Sequence, residues 1–450
     1  MKNFPTAFWK RFQDFKEAPA IYTVDDDGSR KTLSFWEWTR RIQRLAMGLL
    51  DKGIKPETRL GLVAPNGRDW LDLAVATWLV GSCLVPLVPG RDRKETLRCL
   101  GRTGCGWIAV ADDRARANLR GDGDALPDHI KWIVFDGDAN AKGVFSLENL
   151  EEKGRELIRR GHTRKLAERI YELKPEAPTL IFFDPEPGED AQGAFFSGAK
   201  VARQLEAIAA QAGWPDDQDV TVASLLSFGW FSSFQFTLAA LYAGHSVALA
   251  PTLRSMSDDL EVLQPTYLVC GPAYLEKLSG QWQKRLEDAP ELLKQMAGAG
   301  AEDDAPSMMV SALGTIGERA ARKFLYDPIR REFGGNLRAI QVIDGHGSGD
   351  VNDVLDKVDV ALLGHFGLAE AGITHIEHLR ARRPGSAGRP IEGMATKIDG
   401  VKSGQVGELC LRGETLFDDY WAGEGALAFD DDGWLHTGRK GRLESGFLFL

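Results

Sequence analysis

The segment RLGLVAPNGRDWLDLAVATWLVGSCLVPLVPG, residues 59–90, decides the architecture. Arg59 to Ala64 reads as a strand, Trp70 to Val80 carries a helical pattern, and Cys83 to Val88 is a second short apolar strand ended by Pro89-Gly90. Upstream, Phe35 to Lys52 places Leu45, Leu49 and Leu50 at helical spacing before Gly53. Downstream, Ile108 to Ala111 and Ile130 to Phe135 add two more strands. Strand follows helix repeatedly, and parallel strands need such crossovers, so an α/β fold on a mostly parallel sheet is expected.

Residues 112–129 and 150–175 are charged and read as surface connections with helical pieces. A second α/β unit runs from Thr179 to about His375, with strands near Leu180, Val222, Val247, Leu268, Met309, Ala339 and Ala361. Between Val220 and Leu253 there is no Asp, Glu, Lys or Arg, a run long enough to span a bilayer. Gly229, Ser232, Ser233, Gln235, Gly244 and His245 interrupt it, and it divides into a buried strand, helix and strand. From Pro384 onward short strands, Thr396 to Ile398, Gly407 to Arg412 and Leu443 to Leu450, alternate with Gly- and Asp-rich turns, as in a small β-barrel or antiparallel sheet. The expected division is 1–175 and 176–375 for two α/β subdomains and 376–450 for the small β-barrel subdomain.

The 450 residues exceed what one hydrophobic core supports, and 43% apolar and 27% charged residues describe an ordinary globular chain. A net charge of −10 argues against nucleic acid as a partner, because phosphate backbones demand an excess of Lys and Arg. The five cysteines are scattered and never spaced C-x-x-C, which suits a reducing compartment. Met1 to Pro5 opens a polar amphipathic stretch without a secretion signal. A cytoplasmic protein without a transmembrane segment is expected.

Three late motifs are more specific. Gly364-His365-Phe366-Gly367-Leu368-Ala369-Glu370, Arg383-Pro384-Gly385-Ser386-Ala387-Gly388-Arg389-Pro390 and Asp432-Gly433-Trp434-Leu435-His436-Thr437-Gly438-Arg439 resemble the "GYGLTE", "RPGSVGkP" and "DGWlhTGD" signatures of adenylate-forming enzymes. Cys83-Leu84-Val85-Pro86-Leu87 is similar to that family's "vyVPL" strand, and Leu263-Gln264-Pro265-Thr266 with Gly271-Pro272-Ala273 to its "vkPTvl-gvP" turn. Arg330 to Gly335 resembles a segment of the long-chain fatty acyl-CoA synthetase branch. The resemblance runs from about Leu33 to the last residue. It implies two stacked, mostly parallel sheets flanked by helices plus a small β-barrel, as in the large N-terminal domain of these enzymes. It also implies that the mobile C-terminal lid domain lies outside this chain.

Adenylation must neutralise a triphosphate, and the family does so with a Gly/Ser/Thr-rich loop whose amides and hydroxyls donate. The matching stretch here is Asp184-Pro185-Glu186-Pro187-Gly188-Glu189-Asp190-Ala191-Gln192-Gly193, in which only Gly188 and Gly193 match. Pro185 and Pro187 remove amide donors, and Asp184, Glu186, Glu189 and Asp190 bring four carboxylates. At an effective dielectric of 20 and ~5 Å, one like-charge pair costs about 3 kcal/mol. Arg439 stands where the family uses an Asp to accept from the ribose hydroxyls, and Arg only donates. Arg439 could instead pair with an acid of the altered loop.

The resemblance gives Glu370 the magnesium-binding position, with a turn cap as the alternative, and gives Phe366 the place of the aromatic that stacks on adenine. Gly345, His346, Gly347, His365 and Gly367 fall on the nucleotide pocket, and Phe228, Gly229 and Trp230 beside the acyl tunnel, where aromatics equally serve as core. No carboxylate or nucleophile is spaced with His346 or His365 as a triad. The first reading is a degenerate member that does not adenylate alone and serves as an acyl-binding, regulatory or partner-binding module. Its partners would be an acyl chain or acyl-CoA and a protein or carrier protein, and it would need no cofactor. The alternative is an active AMP-forming fatty acid ligase using ATP, magnesium and coenzyme A, with Glu370 catalytic and the lid domain supplied in trans or lying outside these residues.

Overall fold

A computed structural model describes residues 4–121, 126–139, 141–184, 192–215, 219–250, 253–290, 323–343, 349–402, 404–421 and 429–450. The segment 59–90 forms β3 (Arg59–Val63), the helix Arg68–Leu79 and β4 (Cys83–Pro86), and the two strands pair in parallel. On the other side of β3 lie β5 (Trp107–Asp112), β6 (Lys131–Asp136) and β7 (Val144–Ser146), all parallel. Next to β4 come β8 (Pro178–Phe182), β9 (Ala194–Ser197) and β19 (Asp419–Tyr420), completing the order β19-β9-β8-β4-β3-β5-β6-β7.

The second sheet has the order β16-β15-β14-β13-β12-β10-β11-β1-β2. Its parallel centre is β10 (Thr221–Ser224), β11 (Ser246–Ala248), β12 (Tyr267–Cys270), β13 (Ala339–Ile343) and β14 (Ala361–Leu368), and β1 (Pro19–Val24) joins β11 in parallel. Antiparallel strands close each edge, β2 (Arg30–Ser34) on one side and β15 (Gly372–Ile376) with β16 (Arg389–Pro390) on the other. Strand pairing therefore crosses the division expected near residue 175. β8 and β9 join the first sheet, and β1 and β2 join the second.

Helices Phe35–Asp51, Arg68–Leu79, Gly198–Gln211 and Phe231–Ala243 contribute to one apolar core that also takes side chains from both sheets, such as Leu60, Phe182, Val222 and Ile373. The uncharged run from Val220 resolves as β10, the helix Phe231–Ala243 and β11, with every residue from Phe231 to Leu241 buried. Among the described residues no helix is long and apolar enough to cross a membrane. The helices Phe35–Asp51 and Leu147–Arg159 touch backbone to backbone. A Cβ on Gly48 would overlap the Leu150 carbonyl, and one on Gly154 the Arg44 carbonyl. Ser34 caps the first of these helices, its Oγ accepting from the Glu37 amide at 3.3 Å while the Glu37 carboxylate accepts from the Ser34 amide at 2.9 Å.

The third layer is a curled antiparallel sheet, β17 (Met394–Asp399), β18 (Gly407–Gly413), β20 (Leu435–Glu444) and β21 (Phe447–Phe449), in that order. Among the described residues β17 and β21 do not pair, so of the two expected forms, barrel or antiparallel sheet, this layer takes the curled sheet. Leu443 to Leu450, read as one strand, is instead a hairpin end. Ser445 (φ 51) and Gly446 (φ 80) turn β20 into β21 with two consecutive left-handed residues. Phe4–Phe15 is a helix, and the strand expected near Met309 lies outside the described residues.

Candidate functional site

The carboxyl ends of the parallel strands converge on one cavity, the place where open α/β sheets bind ligands. Asp184 follows β8, Leu226 follows β10, Gly271 caps the helix after β12, and Ile343 ends β13. With Trp230, Phe231 and Leu368 they enclose about 580 Å³ with mostly apolar walls. Gly367 and Ala369 of the first late motif reach this cavity, and so does Arg439 of the third.

Arg439 arrives there through a bulge. β18 and β20 pair Cys410 with His436 and Glu408 with Lys440, so two extra residues of β20 fall between the pairs. Thr437, Gly438 (φ 67) and Arg439 fill the bulge. The Gly438 amide donates to Glu408 Oε1 at 3.0 Å and the Arg439 amide to Thr437 Oγ1 at 3.1 Å. Arg439 is exposed, and among the described residues its guanidinium makes no ion pair with a carboxylate. Glu186, Gly188, Glu189 and Asp190, like Gly345, His346 and Gly347, lie outside the described residues. Gly193 is buried against Ile181 and Phe183, and its carbonyl accepts from the Trp421 amide at 2.7 Å.

The other candidates are distributed differently. Phe366 is 2% exposed, with its ring beside that of His375, and it does not line the cavity. His365 is fully buried near the Phe236 ring, and among the described residues neither of its nitrogens has a hydrogen-bond partner. Burial pushes its pKa down to about 3, so the imidazole is neutral. Glu370 stands just past the cavity and accepts from Tyr420 Oη at 2.8 Å. Burial and the Glu370 carboxylate push the Tyr420 hydroxyl pKa up. Phe228 packs edge-on to Trp70 in the core, and Gly229 lies against Val88, where a Cβ has no room. Of the three acyl-side candidates, Trp230 alone reaches the main cavity.

Sequence reasoning did not find Glu377, which organises the second late motif. Its carboxylate, 3% exposed, accepts from the Gly364 amide (2.9 Å), the Arg383 amide and Ser386 Oγ (2.6 Å). A Cβ on Gly364 would overlap the Ser386 carbonyl, and one on Gly388 (φ 90) the Ile376 backbone. The motif glycines are thus explained by backbone contact between β14, β15 and the turn. A lone Glu after a strand carries no signal of this kind.

Known proteins share this fold. The sequence profile described as "AMP-binding enzyme" matches residues 8–183 and 191–421. Long-chain-fatty-acid–CoA ligase FadD15 of Mycobacterium bovis is 21% identical over 442 residues, spanning 96% of this chain and 71% of that protein. Long-chain-fatty-acid–CoA ligase heimdall of Drosophila melanogaster is 22% identical, over 98% of this chain and 68% of its own. The crystal structure of a long-chain-fatty-acid-CoA ligase (FadD1) from Archaeoglobus fulgidus superposes with a TM-score of 0.74 at 16% identity, covering 99% of this chain and 83% of that one. The fold, the three late motifs and a profile match over most of its length place this chain in the AMP-binding enzyme family.

Proposed function

We propose that this chain is an acyl-binding member of the AMP-binding enzyme family that does not form acyl-AMP by itself. The observation that carries the reading is Arg439, an exposed cation without an acidic partner among the described residues, on the rim of a cavity with mostly apolar walls. A long-chain amphiphile with an anionic head suits that pairing: Arg439 donates to the head, and Leu226, Trp230, Phe231 and Leu368 cover the chain. Three of the described residues argue against ATP·Mg. Arg439 cannot accept from ribose hydroxyls, Asp184 brings a carboxylate to the same cavity, and Phe366 faces the core. The relatives' names favour an acyl ligand of the fatty acid class. Glu370, retained at the expected magnesium position, favours the second reading, an active AMP-forming ligase.

Thermal unfolding with a long-chain fatty acid, alongside an acyl-dependent pyrophosphate exchange assay, separates the two. A raised unfolding temperature with no exchange is expected, because a ligand that binds only the folded chain stabilises it. Exchange above background overturns the proposal in favour of the ligase.

A further inference from the structure

We infer that Glu408, Cys410 and His436 form a zinc-class metal site on one face of the C-terminal sheet. Glu408 and Cys410 are two apart on β18 and so point the same way, and His436 is the cross-strand partner of Cys410 on β20. Their ligand atoms all lie within 4.8 Å of one another. Cys410 Sγ is 3.5 Å and Glu408 Oε2 3.1 Å from His436 Nδ1. A tetrahedral zinc with ordinary Zn–S, Zn–N and Zn–O bonds sets S···N and N···O edges of about 3.5 and 3.3 Å. The sulfur–nitrogen edge is therefore already at its metal-bound length, and the nitrogen–oxygen edge is close to it.

The groups around the trio orient it. Asp430 Oδ2 lies 3.4 Å from His436 Nε2, so an Nε2–H tautomer donates there and turns the Nδ1 lone pair towards Cys410 and Glu408. The Gly438 amide occupies Glu408 Oε1, so Oε2, which faces His436 Nδ1, is the oxygen that would ligate. Lys397, 3.6 Å from Asp430, balances that outer carboxylate. Thiolate, imidazole and carboxylate form a mixed S, N, O donor set suited to zinc rather than to magnesium or calcium. On binding, the Cys410 S–H proton and any proton on His436 Nδ1 pass to solvent, and a water completes the fourth position. The metal would clip β18 to β20 beside the bulge that carries Arg439.

Cobalt is the probe. Added to the chelator-treated chain, one equivalent of Co²⁺ is expected to give a near-ultraviolet thiolate-to-cobalt charge-transfer band that Zn²⁺ then abolishes. Cys410→Ser should remove the band, and Asp430→Asn should weaken Zn²⁺ binding about ten- to a hundredfold, measured by chelator competition. If Cys410→Ser does not fold, His436→Gln at a half-exposed position decides the matter by the same band. Absence of the band in the unmodified chain, or its persistence in a folded Cys410→Ser or His436→Gln variant, overturns the site.

Discussion

Asp184 and Arg439 line the same cavity from two different sheets, Asp184 from the end of β8 and Arg439 from the bulge of β20. A carboxylate and a guanidinium share a cavity whose other walls are mostly apolar.

Arg439→Asp should weaken fatty acid binding about ten- to a hundredfold, the worth of one charge-assisted hydrogen bond. Its exposed position predicts an almost unchanged unfolding temperature. Titration followed by tryptophan fluorescence, with Trp230 on the cavity wall, reads the affinity directly. Equal affinity in the two proteins would remove Arg439 from the site.

Glu370→Gln and Tyr420→Phe each disturb one hydrogen bond outside the cavity. Each should cost about 1 kcal/mol in denaturant unfolding and leave fatty acid affinity unchanged. A loss of fatty acid binding in either variant would show that Glu370 contacts the ligand.

Acid should destabilise the chain through its buried histidines. Burial holds His365 and His375 at about 3, against about 6.5 when unfolded. Between those values the unfolded chain binds more protons, so stability is full above the unfolded pKa and falls as pH falls. Each imidazole contributes a slope of about 1.4 kcal/mol per pH unit in that window. His375 is hydrogen-bonded to Thr374 Oγ1 at 2.9 Å and Thr396 Oγ1 at 3.0 Å, whereas His365 has no hydrogen-bond partner among the described residues. His365→Phe should therefore flatten the slope, measured by denaturant unfolding from pH 7 to pH 5. An unchanged slope contradicts the assignment.

Two glycine replacements with opposite signs test the helix contact. Gly154→Ala drives a methyl into the Arg44 carbonyl and should cost about 3 kcal/mol or more. Gly101→Ala, in the helix Arg93–Thr103 with open space around it, should gain about 0.4–1 kcal/mol. Destabilisation of similar size at both positions would mean that the helix contact is not what makes Gly154 special.

Much of this fold was legible because its signals are local. The run 59–90 alternates strand, helix and strand at lengths that leave little choice, and Gly229 to His245 broke the uncharged stretch where the helix and its flanking turns now lie. The exchange of β1, β2, β8 and β9 between the sheets was not legible, because parallel pairing depends on which distant strand offers the matching edge. The motif singled out Arg439, but the bulge that carries it to the cavity depends on a register shift between β18 and β20. Phe366 illustrates the limit in the other direction. The motif put it in the nucleotide pocket, whereas the ring packs beside His375 in the core.

The most direct measurement is a calorimetric titration of the chain with ATP·Mg, performed with and without saturating long-chain fatty acid. No heat of ATP binding is expected at sub-millimolar nucleotide in either case, with clear heat for the fatty acid alone. Saturable sub-millimolar ATP binding would contradict it and restore a working nucleotide site.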